Sequence, residues 1–289
     1  APGQKGVKRR FMQIKMLEEM ENRAKFLITE GSPEKVNALR RALMMDVPKL
    51  AIDDVEFHLG SSVDAEGNEY ESISPVFDEI VAHRLGLVPI PTDLDLFGFR
   101  DQCSCGGEGC PNCTIYFSLE KRGPCEVYSG DLNCLGDSKF QPKDQLIPIV
   151  RLGERQGILA YAIAELGTGR KHAKWQPTHG VGYKYYPTVT IDRSKCDNGG
   201  TCIEICPKGV MKFKDQKVQV VDNDACVLCE DCVKVCRADA IKVKWSEDKF
   251  IFEFETDGSL SARVALIAAL ESLERSFDEF RENIASLEG

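Results

Sequence analysis

Hydrophobic and polar positions alternate with two different periods along this chain. From Lys8 to Leu17, Met12, Ile14 and Met16 alternate with polar partners, and from Arg23 to Thr29, Phe26 and Ile28 repeat the pattern. A period of two sends successive side chains to opposite faces, so both segments are predicted as strands. Ser32-Pro33-Glu34 reads as a helix start, with serine as cap and proline in the first turn. Val36, Leu39 and Leu43 then share one face until Pro48 closes the pattern, which gives a helix over 33–46. After Asp257-Gly258-Ser259, apolar residues recur at Leu260, Val264, Ile267, Leu270, Leu273, Phe277, Phe280, Ile284 and Leu287. Steps of three and four draw one stripe along about seven turns of helix. Much of its first half is expected to pack on its own domain, and the two phenylalanines to meet a partner.

Composition narrows the class. The chain has 289 residues, of which 43% are apolar and 29% charged. That is material for about two domains with a real core. It excludes a disordered tail, a collagen-like fibre and a disulfide-dense miniprotein. The longest apolar run, Val264 to Leu270, is too short to span a bilayer, and no basic-then-apolar leader opens the sequence. A cytoplasmic protein without membrane contact is therefore expected. A net charge of −9 does not gather nucleic acid by itself, because polyanion binding draws on Lys and Arg that release counterions. No direct sequence-specific nucleic-acid contact is expected. The 13 cysteines stand out, and without a leader they point to metal centres in a reducing compartment.

The cysteines form two knots, with Cys125 and Cys134 apart. In the larger knot, adding 30 to Cys196, Cys202 and Cys206 lands on Cys226, Cys232 and Cys236, and Gly199 lies opposite Cys229. The second copy reads Cys226-x2-Cys229-x2-Cys232-x3-Cys236, and the first reads Cys196-x5-Cys202-x3-Cys206-Pro207. This tandem run resembles a bacterial-type ferredoxin domain with two iron–sulfur clusters. In that pattern three thiolates from one loop cap three irons and the fourth reaches the other cluster. The resemblance implies a [4Fe-4S] cluster on Cys206, Cys226, Cys229 and Cys232. The other set, Cys196, Cys202 and Cys236, lacks a thiolate at Gly199 and fits a [3Fe-4S] cluster. A fourth iron held by water or Asp197, or an empty vestigial site, are the alternatives. A zinc ribbon also uses Cys-x2-Cys pairs, but it needs two separated pairs rather than three thiols followed by a fourth. In the smaller knot, Cys103, Cys105, Cys110 and Cys113 fall within eleven residues, with glycines that permit positive φ. They can wrap one tetrahedral zinc; the alternative is a reduced or disulfide-linked loop that has lost its metal.

The rest of the chain carries a second resemblance. Ala38-Leu39-Arg40-Arg41-Ala42-Leu43, then Val47-Pro48 and a strand from Leu50 to Leu59, is similar to the start of the alpha-type assembly subunits of cellular RNA polymerases. The run from Phe77 through His83-Arg84-Leu85-Gly86 to Ile90 matches that family's signature helix and strand. Gly167-x-Gly169-Arg170-Lys171-His172-Ala173-Lys174-Trp175-Gln176-Pro177 is similar to a loop by which archaeal and eukaryotic members meet a large subunit. With the ferredoxin-like insertion, the match narrows to the D-type assembly subunits of archaeal DNA-directed RNA polymerase, alpha-like chains with a ferredoxin-like iron–sulfur domain. Arg237, where the second motif would carry proline, is a departure.

The resemblance implies an α+β fold: a discontinuous dimerisation domain (1–50, 151–187 and 246–289), an inserted mixed α/β domain with the zinc-type loop (51–150), and a ferredoxin-like domain (188–245). It implies a heterodimer with subunit L that nucleates assembly of the two large subunits, which hold the magnesium active site. Such a chain is part of a nucleotidyltransferase but carries no catalytic residues of its own. His172, Lys174 and Trp175 are the expected anchor for a large subunit. Other motifs are weak: Gly167-x-Gly169 is a turn rather than a dinucleotide fingerprint. His58, His83, His172 and His179 read as structural, and Asp93-x-Asp95 as a solvated loop. The rival reading is a ferredoxin-type electron-transfer subunit of an oxidoreductase.

Overall fold

A computed structural model of the chain describes residues 12–63 and 66–287. It is α+β and falls into two compact units. One comprises Ala1–Glu19, Ala24–Arg40 and Val181–Glu253, and the other Met20–Arg23, Arg41–Gly180 and Phe254–Gly289.

The first unit carries a four-stranded sheet in the order Gln13–Met20, Arg23–Thr29, Ile241–Thr256, Thr178–Ile191. Arg23–Thr29 is the predicted strand. Its alternation is legible in burial, since Ala24, Phe26 and Ile28 go to zero or nearly so. Phe26 stacks on Phe252 with centroids 5.1 Å apart, and Tyr183 lies parallel to Phe252 at 6.4 Å. The preceding strand starts at Gln13 and runs on to Met20, three residues beyond the predicted end. Residues 8–11 of that prediction lie outside the described residues. The extension follows from the two-residue turn Glu21-Asn22, which makes this segment a hairpin arm with Arg23–Thr29.

Thr178–Ile191 and Ile241–Thr256 are neighbours in the sheet, and where both end the Asp192 N–H donates to Ala240 O at 2.7 Å. Residues 192–240 between them form a small lobe. Val189, Val210, Met211, Val218 and Ile241 share its core with buried Cys202, Cys226 and Cys232. A hairpin, Met211–Lys214 with Lys217–Val220, turns through Asp215 and Gln216, both at positive φ (52° and 58°), as a two-residue turn between twisted strands requires.

The second unit is built on an antiparallel sheet in the order Lys49–Phe57, Gly157–Gly167, Thr114–Arg122, Leu132–Cys134. Helices are labelled in chain order: α1 (Pro33–Met45), α2 (Asp78–Gly86), α3 (Thr201–Glu204), α4 (Asp231–Lys234) and α5 (Ala262–Leu287). Val81 and Leu85 of α2 join Leu50, Ile52, Phe117, Leu119, Ala160, Ala162 and Ala164 in one core. On α1 the buried residues are Val36, Leu39, Ala42 and Leu43, so the predicted face is the one the fold uses.

Two boundaries need correction. The strand expected from Leu50 to Leu59 spans Lys49–Phe57. The signature run 77–90 yields a helix but no strand: residues 87–90 are irregular, although Val88 and Ile90 are fully buried. Pro89 and Pro91 remove two of the donors that a ladder would need, so this segment fills the core without pairing.

Phe117 touches no solvent in the middle of this core. Phe117→Ala is expected to lower unfolding free energy by about 3–5 kcal/mol, read by denaturant titration with an unchanged slope.

Candidate metal centres and partner surface

The thirty-residue repeat extends to backbone conformation. Asn198 and Leu228 sit at φ 58° and 59°, Gly200 and Glu230 at 81° and 61°, and Gly209 and Asp239 at 61° and 48°. Each pair differs by the same offset as the cysteines. α3 and α4 are related by that offset as well. The hydrogen bonds follow suit: Ile203 N–H to Gly200 O at 2.8 Å answers Val233 N–H to Glu230 O at 2.9 Å. Non-glycine residues are held in the left-handed region because each loop must turn tightly enough to present its thiols from one side.

Within this frame the seven cysteines separate into two groups. Burial pushes the Cys232 thiol up to about 11, and the charges that add to this come from Cys226, Cys206 and Cys229. Burial also raises the Cys202 thiol, and there the neighbours are Cys236 and Cys196. In each case the neighbours that raise the thiol include one cysteine of the other copy. Cys206, Cys226, Cys229 and Cys232 line a single cavity, together with Val189, Met211 and Val227. A cavity of apolar walls and four thiols suits a [4Fe-4S] cluster, which needs thiolates at its corners and shelter from water. Opposite Cys229, a Cβ built on Gly199 would lie 3.3 Å from Asp197 Oδ1.

The smaller knot is a different object. The donor atoms of Cys103, Cys105, Cys110 and Cys113 all lie within 4.8 Å of one another. Three sulfur pairs are 3.6, 3.7 and 3.8 Å apart. A tetrahedral zinc with bonds of about 2.3 Å has edges of about 3.8 Å, so this group is already of the size the ion requires. A hydrogen bond from the Gly109 backbone leads in holding the Cys105 thiol down to about 6, whereas burial pushes Cys113 up to about 12. One sulfur is thus a ready thiolate near neutral pH, and another ionises only if a cation shares its charge. Gly106, Gly107 and Gly109 take positive φ, which wraps the loop. Cys125 and Cys134 stand apart, their Sγ donating to Arg122 O (3.3 Å) and Asp137 O (3.4 Å).

Glu165 was invisible in the sequence and anchors this region. Its carboxylate is buried in the strand Gly157–Gly167 and meets Arg100 Nη1 at 3.3 Å and Lys171 Nζ at 3.0 Å. Arg100 in turn donates from Nε to Gly107 O at 2.8 Å, which clamps the cysteine loop. Trp175, expected with His172 and Lys174 as an anchor for a large subunit, is 1% exposed. Its indole N–H donates to Glu165 O at 3.1 Å, and Lys171 and Lys174 lie over the ring at 4.5 and 4.3 Å. A Cβ on Gly167 would come within 2.4 Å of the indole, so glycine is what admits it. Lys174 pairs with Asp53. The groups this loop leaves exposed are Arg170, Lys171 and His172. Gly167-x-Gly169 is a turn, closed by Lys171 N–H to Thr168 O at 2.9 Å. His172 Nδ1 accepts the Lys174 N–H, and Asp93 pairs with Lys139 at 3.0 Å.

α5 presents two faces. Ala262, Ala265, Leu266, Ala268 and Ala269 are buried. The stripe read from the sequence is a different face: beyond buried Leu260, Val264, Ile267 and Leu270 are exposed, Phe277 is 67% and Phe280 63% exposed. The first half of α5 packs as expected, but on its alanine face rather than on the stripe. Small side chains allow the closer approach, and the alanines, not the stripe, make it. Among the described residues, no helix is long and apolar enough to cross a membrane.

Comparison with known proteins agrees with this anatomy. Residues 64–183 match the RNA polymerase Rpb3/RpoA insert domain. Residues 189–212, the copy that contains Gly199, match the 4Fe-4S binding domain. DNA-directed RNA polymerase subunit Rpo3 of Thermoplasma volcanium is 45% identical over 262 residues, 91% of this chain and 95% of that protein. Rpo3 of Picrophilus torridus is 40% identical over 94% of this chain and 99% of its own length. For Rpo3 of Archaeoglobus fulgidus the figures are 39%, 96% and 99%. The name these relatives carry is Rpo3, in place of the D-type designation.

Cys113→Ser removes one corner of the compact tetrahedron. Elemental analysis of the purified variant is expected to show loss of about one zinc per chain with iron unchanged; full zinc retention would contradict the site.

Proposed function

The chain belongs to the Rpo3 family of archaeal DNA-directed RNA polymerase subunits, and from that membership we propose that it is a non-catalytic assembly subunit. In this reading it pairs with the small subunit L, and the pair forms the platform for the two large subunits of the cytoplasmic enzyme. The observation that carries the heterodimer is the division of labour on α5, where alanines pack inward and Phe277 and Phe280 remain exposed. Two large aromatics on one helix face are a typical hydrophobic anchor for a protein partner. The parts would be a dimerisation domain of 1–50, 151–187 and 246–289, an insert of 51–150, and a ferredoxin-like domain of 188–245. Arg170 and His172 supply the exposed groups for a large subunit, with Trp175 holding their loop in shape from inside.

The lobe would hold a [4Fe-4S] cluster on Cys206, Cys226, Cys229 and Cys232, and a three-thiolate [3Fe-4S] cluster on Cys196, Cys202 and Cys236. Cys103, Cys105, Cys110 and Cys113 would hold zinc. Within an assembly subunit the clusters are structural or redox-sensing: a small lobe with few large apolar side chains draws folding energy from its metal. The rival, an electron-transfer subunit, is disfavoured because identity to polymerase subunits runs through the whole chain rather than the lobe alone.

Two experiments test this. Phe277→Asp with Phe280→Asp buries charge without a partner in the proposed interface, so co-purification with subunit L is expected to disappear; a stable heterodimer would refute the placement. Cys206→Ser is expected to abolish the four-iron resonance seen after reduction while sparing the three-iron signal of the oxidised protein, because the thiolate crosses between copies. Loss of the three-iron signal alone would reverse the ligand assignment.

A further inference from the structure

The segments that lead into the two cysteine loops are held from different places. In the first copy, Arg193, Ser194 and Cys196 bond within the lobe of residues 192–240. Asp192 accepts the Ser194 N–H through Oδ1 and the Cys196 N–H through its backbone O, each at 3.0 Å. Arg193 Nη1 donates to Val218 O at 2.5 Å. In the second copy the corresponding residues are Asn223, Asp224 and Cys226, and the strand Thr178–Ile191, outside the lobe, reaches all three. Lys184 Nζ donates to Asp224 O at 2.5 Å and to Cys226 O at 2.7 Å. The Tyr186 hydroxyl donates to the Asp224 carboxylate, and the Val189 N–H to Asn223 Oδ1 at 2.9 Å.

Lys184 is the charged member of this seam. A lysine ammonium carries three donors and no acceptor, and two of its three are spent on carbonyls that flank Cys226. The side chain is half-buried, so its charge is screened less than that of a lysine in open solvent. Among the charges it meets, Cys226, Glu253 and Asp224 attract it and Lys25 repels it. Cys226 lines the cavity of four thiols, and so does Val189 of the same strand. An electron added to a cluster in that cavity adds one negative charge, which a fixed cation nearby stabilises.

We propose that Lys184 is a positioning residue for the four-thiolate site: it fixes Cys226 from outside the lobe and, by its charge, holds up the reduction potential of the cluster bound there. This rests on the proposed [4Fe-4S] assignment and deepens it. Partners beyond the ligands themselves orient those ligands and tune what they hold, and here the partner comes from the neighbouring sheet rather than from the cysteine repeat. The coupling is reciprocal. An ammonium that favours the reduced cluster is itself held more tightly once the electron arrives, so reduction draws strand and loop together.

The test is an anaerobic redox titration of the full-length chain, purified with its partner subunits. Dithionite is the reductant, and the paramagnetic resonance of the reduced four-iron cluster is the readout. Lys184→Met removes the charge and keeps the length of the side chain. It is expected to shift the reduction equilibrium about tenfold toward the oxidised state, a one-electron midpoint lower by about 59 mV. Lys184→Arg keeps the charge and the donors and is expected to restore the wild-type midpoint. Tyr186→Phe removes a neighbouring tie but no cation, and is expected to leave the midpoint in place. Where Lys184→Met fails to hold its iron, Lys184→Gln, which retains an N–H donor for the carbonyls, gives the same reading. A cluster held by Lys184→Arg and by neither neutral variant would support the proposal. A midpoint that the neutral variants leave unmoved, or that Tyr186→Phe moves as far, would overturn the proposal alone, as would loss of the cluster from all three Lys184 variants. A wild type with no four-iron signal after reduction would overturn the cluster assignment and the proposal together.

Discussion

A carboxylate withdrawn from water must be met by cations, and Glu165 imposes that requirement on much of its unit. From one oxygen it holds Arg100, and through Arg100 the loop of Cys103 to Cys113. From the other it holds Lys171, which lies over the Trp175 ring. The backbone of the same residue accepts the indole N–H. A single strand position thus sets both the cysteine loop and the basic loop, two regions more than fifty residues apart in sequence. Glycine completes the arrangement by absence of a side chain: Gly167 admits the indole, and a Cβ on Gly169 would strike Met44 O at 2.4 Å.

What could be read in advance depended on how local the physics was. Thiol spacing is a local property, and the sulfurs of Cys103, Cys105, Cys110 and Cys113 do come together. Arg23–Thr29 was legible because alternate burial is written in alternate residues. The stripe on α5 was legible as a pattern, but which of two faces packs was not. Alanines carry little hydrophobic signal, yet their small size lets Ala265 and Ala269 approach the unit closely. Trp175 reads as an interface residue because a large aromatic among lysines suits one; the space above Gly167 shows that it turns inward. Glu165 could not be found, since the cation that ties it to the cysteine loop, Arg100, comes from a segment far away in sequence.

The lobe of residues 192–240 shows duplication with unequal copies. Turn conformations, short helices and hydrogen bonds recur at the same offset, while the side chains have drifted. Backbone geometry is what presents thiols from one side of a loop. A copy can therefore lose a ligand, as at Gly199, and keep the shape that ligand required. Gly199 has no positive φ that would demand glycine, so the loss is chemical and not conformational.

The strands that enter and leave this lobe, Thr178–Ile191 and Ile241–Thr256, are hydrogen-bonded neighbours, bridged at their ends by Asp192 and Ala240. The lobe is therefore an excursion from the tip of a hairpin. Its removal and replacement by a short turn would leave every sheet neighbour in place. For evolution this means that a lineage short of iron could discard the entire metal cassette in one deletion, or a lineage rich in it could acquire one, while the sheet beneath went on folding by the same pairing.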